Sequence, residues 1–225
     1  MTSKESIRTR MRARRDALSP RRIRQASAKI QRALTKLPEW AAARRVCMYL
    51  ALPAEARTRM LLAACWKSSK QVLVPAYRPK LRRYGLARLG PDDPVKKGHW
   101  AVPEPARPRW VSAGTARADL VVTPGLAFDR TGGRLGHGLG YYDRLLAGTA
   151  LQQAFKVGLA LECQMVARVP MNARDIRLDA VVTERAVYRR QAEGRRRTTD
   201  ARRQPREGRR WKSAEYRENP DPEDE

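Results

Sequence analysis

Short apolar runs set between helix-compatible stretches constrain this chain more than any other feature. Residues 45–50 (Arg-Val-Cys-Met-Tyr-Leu) and 71–75 read as strands, and 84–89, 119–123, 156–160 and 179–184 continue the series. Short apolar strands separated by helical segments indicate a parallel sheet with helices on its faces. The fold class expected is therefore α/β, a mainly parallel sheet flanked by helices.

The helical segments carry their own punctuation. Residues 3–18 are helix formers with Ile7, Met11 and Leu18 at near-helical intervals, and Ser19-Pro20 then supplies an N-cap and a first-turn proline. A second helix is predicted over 20–37, its stripe Ile23, Ala26, Ile30, Ala33 and Leu34 facing the core while Arg21, Arg22, Arg24, Lys29 and Arg32 face water. A third starts near Thr58 with Met60, Leu61, Leu62 and Ala64, and residues 141–147 form a fourth behind a glycine-rich loop.

From Arg189 to Glu225 hardly an aliphatic residue occurs, and arginine blocks give way to the acidic end Asp221-Pro222-Glu223-Asp224-Glu225. Such a segment buries too little apolar surface to offset its ordering entropy. We expect one compact domain over residues 1–188 and a disordered, basic tail over 189–225. The net charge of +25 attracts phosphates and nucleic acids whatever its role. Arginine is nevertheless spread along the whole length, as on a solvated surface, so nucleic-acid contact through this surface or through the runs Arg195-Arg196-Arg197 and Arg209-Arg210-Trp211-Lys212 stays an alternative. Cys47, Cys65 and Cys163 are odd in number and far apart, which suggests neither a disulfide framework nor a zinc site. No apolar run approaches the roughly 18 residues that span a bilayer, and the basic N-terminus lacks an apolar secretory core, so a cytoplasmic chain without membrane contact is expected; a monomer is expected as well.

The densest chemical signal begins with Pro124-Gly125-Leu126-Ala127-Phe128-Asp129 and continues through Arg134-Leu135-Gly136-His137-Gly138-Leu139-Gly140-Tyr141-Tyr142-Asp143-Arg144. It follows a predicted strand and precedes a predicted helix, the context in which glycines let backbone N–H groups close around phosphate at a helix N-terminus. Arg134 adds a fixed cation. Gly136, Gly138 and Gly140 match neither the P-loop nor the dinucleotide pattern, and alone they would also suit a tight turn. The whole string, however, resembles the ATP-binding motif of the 5-formyltetrahydrofolate cyclo-ligase family. The resemblance runs from Lys4 to about Glu184: Lys4 and Arg8, Glu55 with Thr58, Pro103-Glu104-Pro105, residues 156–160, and Asp175-Ile176-Arg177-Leu178-Asp179 match in the family's order. The chain departs from it at Ala54-Glu55-Ala56-Arg57-Thr58, where Arg57 stands in place of an acid.

The resemblance implies a three-layer fold of the cyclo-ligase and sugar-phosphate-isomerase kind and an ATP-dependent conversion of 5-formyltetrahydrofolate to 5,10-methenyltetrahydrofolate. It implies that Lys4, Arg8, Arg134, Leu135, Gly136, His137, Gly138, Leu139, Gly140, Tyr141 and Tyr142 bind ATP, with Arg134 and Tyr142 catalytic. Leu50, Glu55 and Trp100 would bind the folate, and Asp143 and Asp179 would hold Mg²⁺. Each assignment has a plainer counterpart: Asp143 as a first-turn acid on its own helix dipole, Glu55 as a loop acid, one of the two tyrosines as core. Two other classes remain open at this point, a different phosphate-ligand enzyme on a related fold and a nucleic-acid-binding protein built on this one.

Overall fold

A computed structural model describes residues 3–112 and 117–191. Its strands are β1 (Arg45–Met48), β2 (Gln71–Arg78), β3 (Arg83–Arg88), β4 (Val95–Lys97), β5 (Pro103–Pro105), β6 (Arg109–Trp110), β7 (Leu120–Thr123), β8 (Ala127–Phe128), β9 (Arg134–Leu135), β10 (Phe155–Leu159), β11 (Ala180–Val182) and β12 (Val187–Arg189). Its helices are α1 (Lys4–Asp16), α2 (Pro20–Thr35), α3 (Pro38–Ala42), α4 (Arg59–Lys67) and α5 (Tyr141–Ala147).

Eight strands form one sheet in the order β12-β11-β10-β7-β1-β2-β3-β6. The inner run β2-β1-β7-β10-β11 is parallel throughout, whereas β3, β6 and β12 pair antiparallel at the margins. The predicted strand at 84–89 thus returns antiparallel on β2, because a short turn at Pro79–Leu81 joins the two and a turn cannot make a parallel crossover.

The strands are buried on both faces, and their alternation sorts the core. Val46 and Met48 of β1, Leu120 and Val122 of β7 and Ala180 and Val182 of β11 pack under α2, α3 and α4. Cys47, Val121 and Val181 face the other way, against Phe128 and Leu146 of α5. The result is three layers. Ser19 caps α2 by accepting from the Arg22 N–H at 3.2 Å, and Ile30 and Leu34 are fully buried, each contributing roughly 1.5–3 kcal/mol. Cys47 and Cys65 are buried thiols pushed up to about 12 by desolvation; they are packing residues.

The order of the parallel strands has a functional consequence. The chain leaves β1 through α4 on one face to reach β2, but leaves β7 through α5 on the other face to reach β10. Between β1 and β7 the winding therefore reverses, and a crevice opens beyond their C-terminal ends, the place where open α/β sheets bind ligands. At the opposite side of the molecule β12 runs through Arg189, which pairs with Glu39, and Arg190 pairs with Asp179. The ordered chain thus continues past residue 188; the remainder of the expected tail lies outside the described residues. No described helix is long and apolar enough to cross a membrane.

Candidate active site

The crevice is a cavity of 1090 Å³ that includes Tyr49 and Leu50 just beyond β1 and Pro124 and Gly125 just beyond β7. Three structures converge on it: the loop around Glu55, the glycine-rich loop with α5, and helix α1, delivered from the far end of the sequence.

Helix α1 starts at Ser3, whose hydroxyl accepts from the Ser6 N–H at 3.1 Å. Ile7 and Met11 bury against Ala127, Leu135 and Val169, which presses α1 onto the β8–β9 hairpin and turns Lys4 and Arg8 toward the cavity. Lys4 Nζ meets Asp175 Oδ2 at 2.6 Å. Arg8 Nε donates to the Gly136 carbonyl at 3.1 Å, and its other nitrogen pairs with Glu5 at 2.8 Å.

The hairpin is pinned by Asp129, a buried carboxylate that accepts from the Thr131 and Gly133 N–H groups at 2.8 and 2.9 Å and from Val169 N–H at 2.8 Å. Burial alone would raise its pKa, but the Val169, Thr131 and Gly133 donors outweigh it and hold the group below the ordinary carboxylate value. This brace presents Arg134, 5% exposed, at the foot of the loop. One Arg134 nitrogen meets Asp143 Oδ1 at 2.9 Å, Nε has no hydrogen-bond partner among the described residues, and the guanidinium stands 5.4 Å from the Tyr142 ring. A buried donor without a partner is costly, so Arg134 is poised for an acceptor that the fold itself does not supply.

Beyond it the loop turns through Gly138 (φ 108°) and Gly140 (φ 64°, the N-cap of α5), backbone that a side chain would strain. Leu139 is 52% exposed, and Arg144 reaches back to its carbonyl at 2.9 Å. Burial first, then the fields of Arg15, Arg12, Arg8 and Arg134, lowers the His137 pKa, so the ring at this cationic end stays neutral.

The other end of the cavity differs. Glu55 is 8% exposed and accepts from the Leu52 N–H at 2.9 Å; burial raises its pKa, partly offset by that bond and by Arg15. Tyr49 and Tyr142 lie beside it, their phenols raised well above the ordinary value by burial. Arg57 is tied through its N–H to Ser27 Oγ at 2.9 Å and is not among the cavity residues, so this substitution leaves the pocket lining intact. Trp100, 50% exposed, and Tyr84 complete the wall, both edge-on to Tyr141 at 4.8 and 4.9 Å.

All the expected ATP and folate residues line this one cavity, as does Asp143. Asp179 does not. It sits before β11 at the N-terminal side of the sheet, where its carboxylate accepts from the Lys156 N–H at 2.8 Å and pairs with Arg190 at 2.7 Å. Asp175, four residues earlier in the same acidic element, is the acid that faces the cavity. Sequence reasoning also missed Tyr49, Leu52 and Tyr84 as lining residues. Nothing in a run such as Cys-Met-Tyr-Leu separates a strand's last core residue from the first one over a crevice.

A doubly wound sheet with a cationic glycine loop at its switch point is the arrangement of an α/β fold that takes its ligand in the crevice beyond the strand ends. Comparison with known proteins gives the family. The sequence profile of the 5-formyltetrahydrofolate cyclo-ligase family matches residues 1–184. A probable 5-formyltetrahydrofolate cyclo-ligase of Schizosaccharomyces pombe is 34% identical, over 72% of this chain and 86% of the relative. The Haemophilus influenzae 5-formyltetrahydrofolate cyclo-ligase is 31% identical, over 78% and 94%. The NMR structure of Aquifex aeolicus 5,10-methenyltetrahydrofolate synthetase superposes with a TM-score of 0.72 at 30% identity, covering 87% of this chain and 98% of that one. The chain belongs to the 5-formyltetrahydrofolate cyclo-ligase family.

Proposed function

We propose that this chain converts 5-formyltetrahydrofolate to 5,10-methenyltetrahydrofolate while ATP is split to ADP and phosphate. The observation that carries the reading is a single cavity with two unlike ends. The cations and glycines of one suit a polyphosphate; the buried acid and aromatic wall of the other suit a pterin. In the family's reaction the formyl oxygen takes the γ-phosphoryl group, N10 attacks the resulting imidate carbon, and that oxygen departs with phosphate as the ring closes.

Phosphoryl transfer asks a protein for positioning and charge neutralisation more than for covalent help. Lys4, Arg8, Arg134 and the backbone of residues 136–140 supply both, and Arg134 Nε is a buried donor without an acceptor among the described residues. Tyr142 keeps its proton, because burial raises it, and can donate to the transferred group. Glu55 holds the pterin end by accepting from its N–H groups.

Mg²⁺ favours one or two carboxylates completed by phosphate oxygens and water. Asp143 and Asp175 border the same cavity with 22% and 15% side-chain exposure and fit that donor set; Mg²⁺ held there would neutralise phosphate charge. Their present partners Arg134 and Lys4 are the cations that phosphate would draw away. The free thiols Cys47, Cys65 and Cys163 suit a reducing, cytoplasmic compartment. The test is the absorbance of methenyl product from 5-formyltetrahydrofolate, with and without ATP. Growth that requires ATP is expected, and folded protein yielding none would overturn the reading.

A further inference from the structure

The strands β4 and β5 form a small antiparallel hairpin in which Lys96 lies opposite Glu104. Its tip is closed by Gly98 N–H to the Val102 carbonyl at 2.8 Å and carries two consecutive non-glycine residues in left-handed backbone, Trp100 (φ 54°) and Ala101 (φ 57°). L-residues adopt that region rarely, and it persists where surroundings over-determine it. Here the surroundings are aromatic. His99 stacks on Tyr77 with centroids 3.9 Å apart at 7°, and Trp100 lies 4.3 Å from His99 and 4.8 Å from Tyr141.

Beneath this tip lies Glu104, 5% exposed. A Cβ on Gly98 would stand 2.3 Å from the Glu104 carboxyl carbon, so the turn rests directly on the acid. The Tyr84 hydroxyl donates to the His99 carbonyl at 3.3 Å, with the Glu104 carboxylate as the alternative acceptor for its single proton; burial, then this neighbour, raises the phenol well above its ordinary value. Glu104 Oε1 has no partner among the described residues. A core acid kept with one oxygen unsatisfied weakens the fold, and a packing role alone would be served better by an apolar residue of like size. Glu104 itself is not among the cavity residues, whereas Tyr84 and Trp100 are.

We propose that Glu104 is a positioning residue for the folate-facing wall: it holds Tyr84 from below and supports the Gly98–Val102 turn, and through them sets Trp100 against Tyr141. The inference rests on the cyclo-ligase reading and assigns Glu104 to recognition of the folate ring system, not of ATP. Because the wall meets the nucleotide loop at Tyr141, an acid remote from both ligands governs the width of one end.

The experiment compares Glu104→Met, which fills the volume without an acceptor, Glu104→Gln, which keeps an acceptor oxygen, and Tyr84→Phe. For Glu104→Met we expect the KM for 5-formyltetrahydrofolate to rise roughly tenfold with kcat and the KM for ATP within about twofold, the signature of lost uniform binding of one substrate. Glu104→Gln restores most of the affinity, and Tyr84→Phe, which leaves Glu104 in place, shifts the folate KM in the same direction. A melting temperature that falls while both KM values stay put, or KM values that move together, overturns the proposal; if Glu104→Met does not fold, the Tyr84→Phe result decides alone. Wild-type protein without ATP-dependent turnover would instead sink the cyclo-ligase reading itself.

Discussion

The two ends of the cavity solve the problem of charge in opposite ways. At the phosphate end three cations already have partners of opposite sign: Lys4 with Asp175, Arg8 with Glu5, Arg134 with Asp143. At the folate end Glu55 has one backbone donor, the field of Arg15 and no ion pair among the described residues. An end that must accept a polyanion can store its cations on carboxylates and release them when phosphate and metal arrive. An end that must discriminate a neutral heterocycle needs a desolvated acceptor, because an unmet hydrogen bond in a dry pocket is what rejects the wrong ligand.

The largest effect is expected at Arg134. Arg134→Lys keeps a cation but loses the planar fork, and turnover should fall by roughly a hundredfold, about 2.7 kcal/mol of transition-state stabilisation. Methenyl formation per folded molecule measures this; unchanged turnover with a lower melting temperature would mean that Arg134 only braces the loop against Asp143.

Next in size is the acid at the same end. Asp175→Asn should raise the Mg²⁺ concentration needed for half-maximal rate by about tenfold, roughly 1.4 kcal/mol, while Asp179→Asn leaves it unchanged. A metal titration of the rate with both variants distinguishes the two acids, and equal effects would return Asp179 to the site.

That pair shows where the sequence stops being legible. The element Asp175-Ile176-Arg177-Leu178-Asp179 presents two acids within five residues, and which one faces the crevice depends on how the chain enters β11. The choice is made by Lys4, 171 residues away, a contact that no local pattern contains. What is local was readable: the Ser19-Pro20 start of α2, the stripe Ile23, Ile30 and Leu34, and helix 141–147 all stand where periodicity and capping place them. The short pairs β4–β5 and β8–β9 were not, because strands of two or three residues are too brief to show a period. The motif nevertheless grouped Arg134, Gly136, Gly138 and Gly140, which line the cavity together, since neighbours in sequence stay neighbours within one loop.

A smaller effect has opposite signs at the two ends. Asp129 and Asp175 lie below their ordinary 3.8 in the folded state; the stability they contribute is complete above that value and is lost as pH falls through their lowered values. Glu55 lies above its ordinary 4.5; its protonated form favours folding, and that contribution is lost as pH rises through the raised value. Melting temperature against pH should therefore lose part of its acid-side rise in Asp175→Asn and part of its decline above pH 4.5 in Glu55→Gln. Identical profiles for the two variants would show that both carboxylates sense one environment.

The smallest effect is expected from truncation after Gln191. Ten of the 48 basic residues and nine of the 23 acidic ones follow that position, so the segment expected to be basic is nearly balanced and the surplus charge belongs to the preceding residues. Removing it should leave turnover and the salt dependence of any polyanion binding within error; a large drop in either would assign the segment a part in the site or in nucleic-acid contact.

The proposed function requires one cavity to serve two ligands at separate ends. Titrating Mg²⁺ with a non-hydrolysable ATP analogue, and separately 5-formyltetrahydrofolate, into Glu55→Gln and Lys4→Ala tests it directly. A crossed pattern is predicted: Glu55→Gln binds the folate roughly tenfold more weakly with nucleotide affinity kept, and Lys4→Ala does the reverse. Equal losses of both ligands in both variants would contradict it.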